Sequence, residues 1–551
     1  MEAKWAKLAR GMREPGGAIL CCLLVGAAGG ACGRDRSRPP AAVAAGPTVV
    51  RCGDEGCPAD TRPARPGGAL RVHVDAEPGG LCDLVNHEAW VRWIVENQVM
   101  ETLVEQSPQS GALAPRLAER WESVGEGTTR RIVFHLREGA RFHDGHPLTA
   151  ADVAFTLELA RDPKLAADQR SDLLPVTRVE AVDAHTVALA VPTPAPFLLQ
   201  ALAHIAIYPK HLLAGVDLRS APFCRAPVGS GPFRFSAWQS GVSLVLLRNE
   251  AYPGAHPALE RLDFRFVRDR QAAWLLYQRG ELDVMWRLPP GATQAAERDP
   301  KLAGHRLYRH TPRAFFFVLW NVARPALATP AVRAALGRLV DLPRLVEVAF
   351  AGRARPHSGP YVAGTPSYDP SIAPWPYEPA AAQAALAALP ERPRTLSFLS
   401  TAGSIAVEQL ATLMEEDLRR AGVALRIEKL DFAQVLERLR THDFDVAALQ
   451  LTLALEQDNH GLFHSSARGE QNWAGFADAE VDALLDRIRG TEDPAERHAL
   501  DRRLHRALHE RGPMSFLVAP EVDTAVAAGV GGVRPSSDGL DLERAFRTAA
   551  P

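Results

Sequence analysis

The chain has 551 residues, 46% of them apolar and 23% charged, with a formal net charge of −2. That length exceeds what one hydrophobic core organises, so two or three lobes are expected. The near-neutral balance excludes the basic stripe that nucleic-acid binding needs, so no nucleic-acid partner is expected.

The N-terminus carries Lys4, Lys7, Arg10 and Arg13, followed by the apolar stretch Ala18 to Ala28 and small residues up to Cys32. Such a stretch is too short for a spanning helix, which takes about 20 residues, and has the length of a signal-peptide core. Residues 1–32 are therefore read as an export signal. Gly29-Gly30-Ala31-Cys32 resembles a lipobox, in which Cys32 becomes a lipidated N-terminus, although Gly29 stands where a branched apolar residue is usual. The alternative is an ordinary cleavage site after Ala31. Export to the periplasm or cell surface is expected, with a membrane contact through the lipid. Residues 33–67 are rich in Pro, Gly and Arg without periodicity and read as a flexible linker. Past Cys32 the cysteines are Cys52, Cys57, Cys82 and Cys224, an even number suited to an oxidising compartment. Three pairings are possible. Cys52–Cys57 and Cys82–Cys224 are favoured, because the first two share one short Gly-containing loop.

The body begins with a strand over 69–75. Alternation predicts a half-buried strand over 131–137, Thr149 and Asp152 mark a helix start, and 186–191 is a strand stopped by Pro192. The apolar run 315–319 reads as a strand entering another lobe. Later the order is regular: strand 396–399, helix 405–420 with Leu410, Leu413, Met414 and Leu418 on its buried side, strand 423–427, helix 433–439 and strand 444–451. This alternation is the mark of an α/β lobe with a largely parallel sheet. The stretch 494–511 is a surface helix with a leucine stripe.

The segment Leu136 to Phe155 (LREGARFHDGHPLTAADVAF) resembles the signature of the extracellular solute-binding proteins of family 5, the peptide, dipeptide and nickel class. Leu117 to Trp121, Pro227 to Phe233, Arg248 to Tyr252, Gly280 to Asp283, Val332 to Leu336 with Asp341, and Asn472 to Phe476 with Asp482 support it in order and spacing. The resemblance implies a periplasmic binding protein-like type II fold of class C: two main lobes with a cleft and hinge, plus an inserted third lobe. Lobe I is expected at 68–112, 213–309 and 516–551, lobe II at 113–212 and lobe III at 310–515. It also implies the solute-capturing subunit of an ABC importer, a monomer that delivers a peptide or other small polar solute to permease subunits. A transport-inactive surface receptor, or a binder of a metal chelate or sugar, is the alternative.

No enzyme is expected. His143-Asp144 lacks a nucleophile and a third partner, Gly229-Ser230-Gly231 lacks the spacing of a nucleophile elbow, and His87-Glu88 is followed by Val91 where a zinc peptidase needs histidine. No cofactor is expected. Asp458, His460 and His464 are close in sequence but read as solvated loop groups, so no metal site is assigned. In peptide-binding members an Asp holds the peptide's amino group, and its place here falls near Leu453. An unpartnered buried ammonium is costly, so Glu456 or Asp458 replaces that Asp, or the ligand is not an ordinary free-amine peptide. Trp286, Trp320 and Trp473, with Asn321 and Asn472, are the candidate cleft-lining residues.

Overall fold

A computed structural model describes residues 46–548 apart from 53–56, 87, 97, 108–110, 166, 168–169, 171, 290, 390, 469–470 and 537–538. The export signal, Cys32 and His87 lie outside the described residues. Among those described, no helix is long and apolar enough to cross a membrane.

The three largest sheets fall largely within the segments expected for lobes I, II and III. The lobe I sheet has eight strands in the order Thr48–Arg51, Arg306–His310, Val522–Val526, Val284–Met285, Ala69–Val74, Arg261–Phe266, Ser243–Arg248 and Phe233–Gln239. Lobe II carries a four-stranded antiparallel sheet, Ala118–Val124, Arg131–Leu136, Thr186–Ala190 and Arg178–Ala181. The helix Ala150–Arg161 begins beside it, where Thr149 and Asp152 form a capping box and Asp152 Oδ1 also accepts from the Lys210 amide at 2.9 Å. Lobe III has six strands in the order Ala354–Pro356, Met514–Pro520, Ala314–Trp320, Val446–Thr452, Thr395–Thr401 and Ala424–Leu430.

The regular α/β stretch forms where the pattern places it. The helix Ile405–Arg420 buries Leu410, Leu413, Met414 and Leu418, and Gly422 follows at φ +77°, a conformation that favours glycine. The three strands at 395–401, 424–430 and 446–452 pair in parallel, but Ala314–Trp320 and Met514–Pro520 join antiparallel, so the sheet is mixed.

Two boundaries differ from the sequence reading. Thr48–Arg51 lies within the expected linker, yet it pairs in parallel with Arg306–Arg309 as an edge strand of lobe I. Its Thr-Val-Val core suits a pleated surface, and the surrounding Pro and Arg masked it. Met514–Pro520 belongs to the lobe III sheet, so the return to lobe I comes at Glu521. The four cysteines form the bridges Cys52–Cys57 and Cys82–Cys224.

The family-like motifs hold lobes together. A Cβ on Gly229 would lie 1.8 Å from the Val99 carbonyl oxygen, and one on Gly231 2.4 Å from that of Gln98, so only glycine lets these backbones meet. His143 accepts at Nδ1 from the Gly229 amide (3.2 Å), and its Nε2 faces the Gly231 carbonyl at 3.0 Å. Its imidazole is a clasp between lobes II and I. Buried Glu101 accepts from Tyr252 Oη at 2.8 Å and from Arg137 at 3.0 and 3.1 Å.

Burial holds His310, His357 and His505 neutral, each lowered to about 4. A histidine kept neutral in the fold contributes its full stability above the unfolded value near 6.5 and loses it as pH falls toward 4. Asp83 acts oppositely: burial raises it to about 6, so its contribution is present below about 3.8 and gone above 6. Burial raises Asp501, Asp541 and Glu543 as well, by smaller shifts, and three histidines at on the order of 2–3 kcal/mol each outweigh these carboxyls. The melting temperature is expected to fall between pH 6.5 and 4, and His357→Leu to shallow that fall. A flat profile would contradict it.

Candidate functional site

The chain crosses between the lobe I and lobe III sheets twice, at Thr311–Arg313 and at Glu521. The two crossings are adjacent, because His310 pairs with Val522. Each is pinned: the Leu453 amide donates to the Arg313 carbonyl at 2.6 Å, and the Glu521 amide to that of Arg353 at 2.9 Å. Two adjacent crossing strands of this kind have the form of a two-strand hinge. Asp523, one residue past the second crossing strand's start, is fully buried between Arg309 of lobe I (3.0 Å) and Arg353 of lobe III (2.6 Å). Burial alone would raise its carboxyl, but the bonds from Arg353 and Arg309 outweigh that and hold it below the usual range.

On the lobe I side, Trp286 follows the short strand Val284–Met285. Its ring lies 5.5 Å from that of His310, and the Arg287 guanidinium sits 5.2 Å over it. Arg287 has φ +55°, in the left-handed region. Such a conformation costs a bulky residue about 1 kcal/mol or more and persists only where surroundings impose it, often at binding sites. Here the Leu288 amide bonded to the Asp523 carbonyl (2.8 Å) fixes the turn. Arg287 Nε is buried with no partner among the described residues. The nearby Asp75 is already held by Arg270 through two bonds of 3.0 and 2.8 Å. Burial first, then the Arg270 charge, lowers the Arg287 pKa. Arg313, in the first crossing, is lowered to about 10 by burial and by Arg92. Burial thus disfavours the charged form of both guanidiniums.

On the lobe III side the place anticipated for an anchoring carboxylate is Leu453, a buried member of an apolar cluster. Glu456 does not stand free: its oxygens lie 2.9 Å from Arg497 and 3.4 Å from His498. Asp458 is paired with Arg489 at 2.9 and 2.7 Å. Asp458 lines a small cavity with Pro194 and Phe197 of lobe II, and Phe197 lies under the Arg497 guanidinium at 5.5 Å.

Three other candidates are engaged within lobe III. Trp320 ends the strand that starts at the hinge with Ala314, six residues or about 20 Å away. It is fully buried, and its indole N–H donates to Ser515 Oγ at 2.9 Å. Asn321 is buried and donates to the carbonyls of His442 (3.0 Å) and Phe444 (2.8 Å). Asn472 is likewise buried, with its amide donating to the carbonyls of His464 (3.0 Å) and Phe476 (2.8 Å). Buried polar groups must be satisfied, and these are satisfied by backbone. Half-buried Trp473 shares that far end, its carbonyl 2.8 Å from His442 Nδ1. Of the aromatic and amide candidates, only Trp286 stands at the hinge. Arg287, beside it, was missed because its left-handed turn depends on contacts with strand Val522–Val526, which no local pattern announces.

The model of the bacterial extracellular solute-binding proteins, family 5 Middle, matches residues 112–472. Di/tripeptide-binding protein 2 of Pseudomonas aeruginosa (strain UCBPP-PA14) is 25% identical over 505 residues, covering 85% of this chain and 92% of its own. Among solved structures, the ABC transporter substrate-binding protein CtaP of Listeria monocytogenes superposes with a TM-score of 0.78 at 23% identity, over 88% of this chain and 100% of that one. The binding protein AgaA of A. tumefaciens R10, in complex with agropinic acid, gives a TM-score of 0.75 at 26% identity, over 88% and 99%.

Proposed function

From the premise that this chain belongs to the family 5 extracellular solute-binding proteins, we propose that it is the capture subunit of an ABC importer whose cleft takes a small solute bearing a carboxylate. The observation that carries the substrate class is charge. Leu453 stands where an amino group would need an acid, Glu456 and Asp458 are neutralised by Arg497 and Arg489, and Arg287 Nε is buried without a partner among the described residues. A carboxylate or an acidic peptide is the ligand that such a guanidinium recognises, in paired hydrogen bonds. The indole of Trp286 supplies the apolar wall beside it. The relatives named for di- and tripeptides support a peptide-sized ligand, and AgaA with agropinic acid supports an acidic one. Lobe closure about the two-strand hinge would complete the site, with ligand stabilising the closed form by its greater affinity for it. Export by residues 1–32, lipid attachment at Cys32 and a monomeric state belong to the same proposal and rest on the N-terminal sequence and the family.

The test is native mass spectrometry of protein purified without refolding, followed by calorimetry with the ligand released. An acidic solute is expected to co-purify, and Arg287→Ala to weaken its binding by at least about 30-fold, the loss typical of a buried charge pair. Co-purifying neutral free-amine peptides, bound equally by the variant, would overturn the substrate class and leave the capture role standing.

A further inference from the structure

We propose that His460, His464 and Asp486 form a binding site for a divalent transition-metal cation of the zinc class, on lobe III outside the hinge region. The short helix His460–Phe463 places the two histidines one turn apart, with rings stacked at 4.0 Å and 8°. The helix Ala479–Gly490 packs against it and brings up Asp486. His464 Nε2 lies 3.5 Å from Asp486 Oδ1, and His460 Nε2 lies 3.7 Å from it. All three donor atoms fall within 4.8 Å of one another. Tetrahedral zinc with bonds near 2.0 Å sets its donors about 3.3 Å apart, so two of the three spacings already match within a few tenths of an ångström.

Two imidazoles and one carboxylate are a donor set for zinc rather than for calcium or magnesium, which prefer all-oxygen shells. Three protein ligands leave a fourth position for water. His464 Nε2 is buried without a hydrogen-bond partner among the described residues. Its Nδ1 lies 2.7 Å from Ser466 Oγ and accepts from the Ser466 amide at 3.1 Å. When Nε2 takes the cation, the ring proton moves to Nδ1, which gives up the bond from the Ser466 amide and donates to Ser466 Oγ, orienting the ligand. Asp482 is 4.0 Å from Nε2, but its oxygens hold the Ser465 amide and hydroxyl at 2.9 and 2.6 Å. The opposing charge is Arg489, which faces His460 and is engaged by Asp458. Asp458, the acid nearest the histidines in sequence, is therefore a partner of Arg489 and no ligand; the third donor comes from the next helix.

A cation here ties the two helices together and fixes Arg489 and Asp458, which line a small cavity with Pro194 and Phe197 of lobe II. The ion braces the lobe III side of that contact.

The test is calorimetric titration of the EDTA-treated full chain with ZnCl2, alongside His464→Ala, Asp486→Asn and, as a control, His211→Ala. The control addresses the other stacked pair, His146 and His211, whose rings lie 3.9 Å apart. One equivalent of Zn2+ is expected, weakened at least about tenfold by His464→Ala and by Asp486→Asn and unchanged by His211→Ala. Because Asp486 is exposed, its variant keeps the fold, which circular dichroism checks. Absence of binding, or binding that survives both substitutions, overturns the site.

Discussion

Asp523→Ala is expected to destabilise the protein by about 3–5 kcal/mol, the penalty for removing one member of a buried ion pair. The carboxylate is fully enclosed, and its two cations are themselves only 12% and 19% exposed. Deleting it leaves Arg353 buried without that carboxylate and Arg309 with Glu297 as its remaining acid partner. The effect reaches beyond stability, because Arg309 belongs to the lobe I sheet and Arg353 precedes the lobe III strand Ala354–Pro356. The anion is the electrostatic pin of the hinge. Urea unfolding read by tryptophan fluorescence measures the loss, and small-angle scattering measures the spread of lobe separations, which is expected to widen. A variant within 1 kcal/mol of the parent would show that solvent replaces the pin.

The second large effect concerns Cys82–Cys224. The bridge closes a loop of sequence separation 142 that contains all of lobe II. A cross-link of that span removes unfolded-state entropy worth about 4–5 kcal/mol on the chain-entropy account, against about 2 kcal/mol for Cys52–Cys57, separated by 5. Both sulfurs of the long bridge are buried, and the Leu81 amide donates to the Cys224 carbonyl at 2.7 Å beside it. Cys82→Ala with Cys224→Ala is expected to lower the denaturation midpoint substantially more than the corresponding change at Cys52 and Cys57. Equal midpoints for the two double variants would contradict the loop-length account.

The lobe III helices and strands are legible in the sequence because each carries its own signals: a 3.6-residue apolar period and Gly422 for Ile405–Arg420, alternation and turns for the parallel strands. The candidate site is less legible for a definite reason. Trp320, Asn321 and Asn472 have the chemistry of ligand contacts, but an indole N–H or a carboxamide serves a backbone carbonyl equally well, and only the tertiary structure decides. Glu456 and Asp458 are neutralised by Arg497 and Arg489, over 30 residues further on, which local reading does not connect. The absence of an acid at Leu453 is readable in the sequence, and it is the sequence feature on which the proposed acidic solute most directly rests.

Lobe III enters and leaves lobe I through neighbouring strands, with His310 directly opposite Val522. Topologically, residues 314–520 are therefore a cassette whose two ends lie one strand spacing, about 5 Å, apart. A cassette of that kind can be exchanged between related chains without rethreading its host, since the host sheet closes across the gap by a pairing it already makes. New solute preferences could then arise by trading one wall of the cleft as a unit while the hinge, the bridges and the other wall stay as they are.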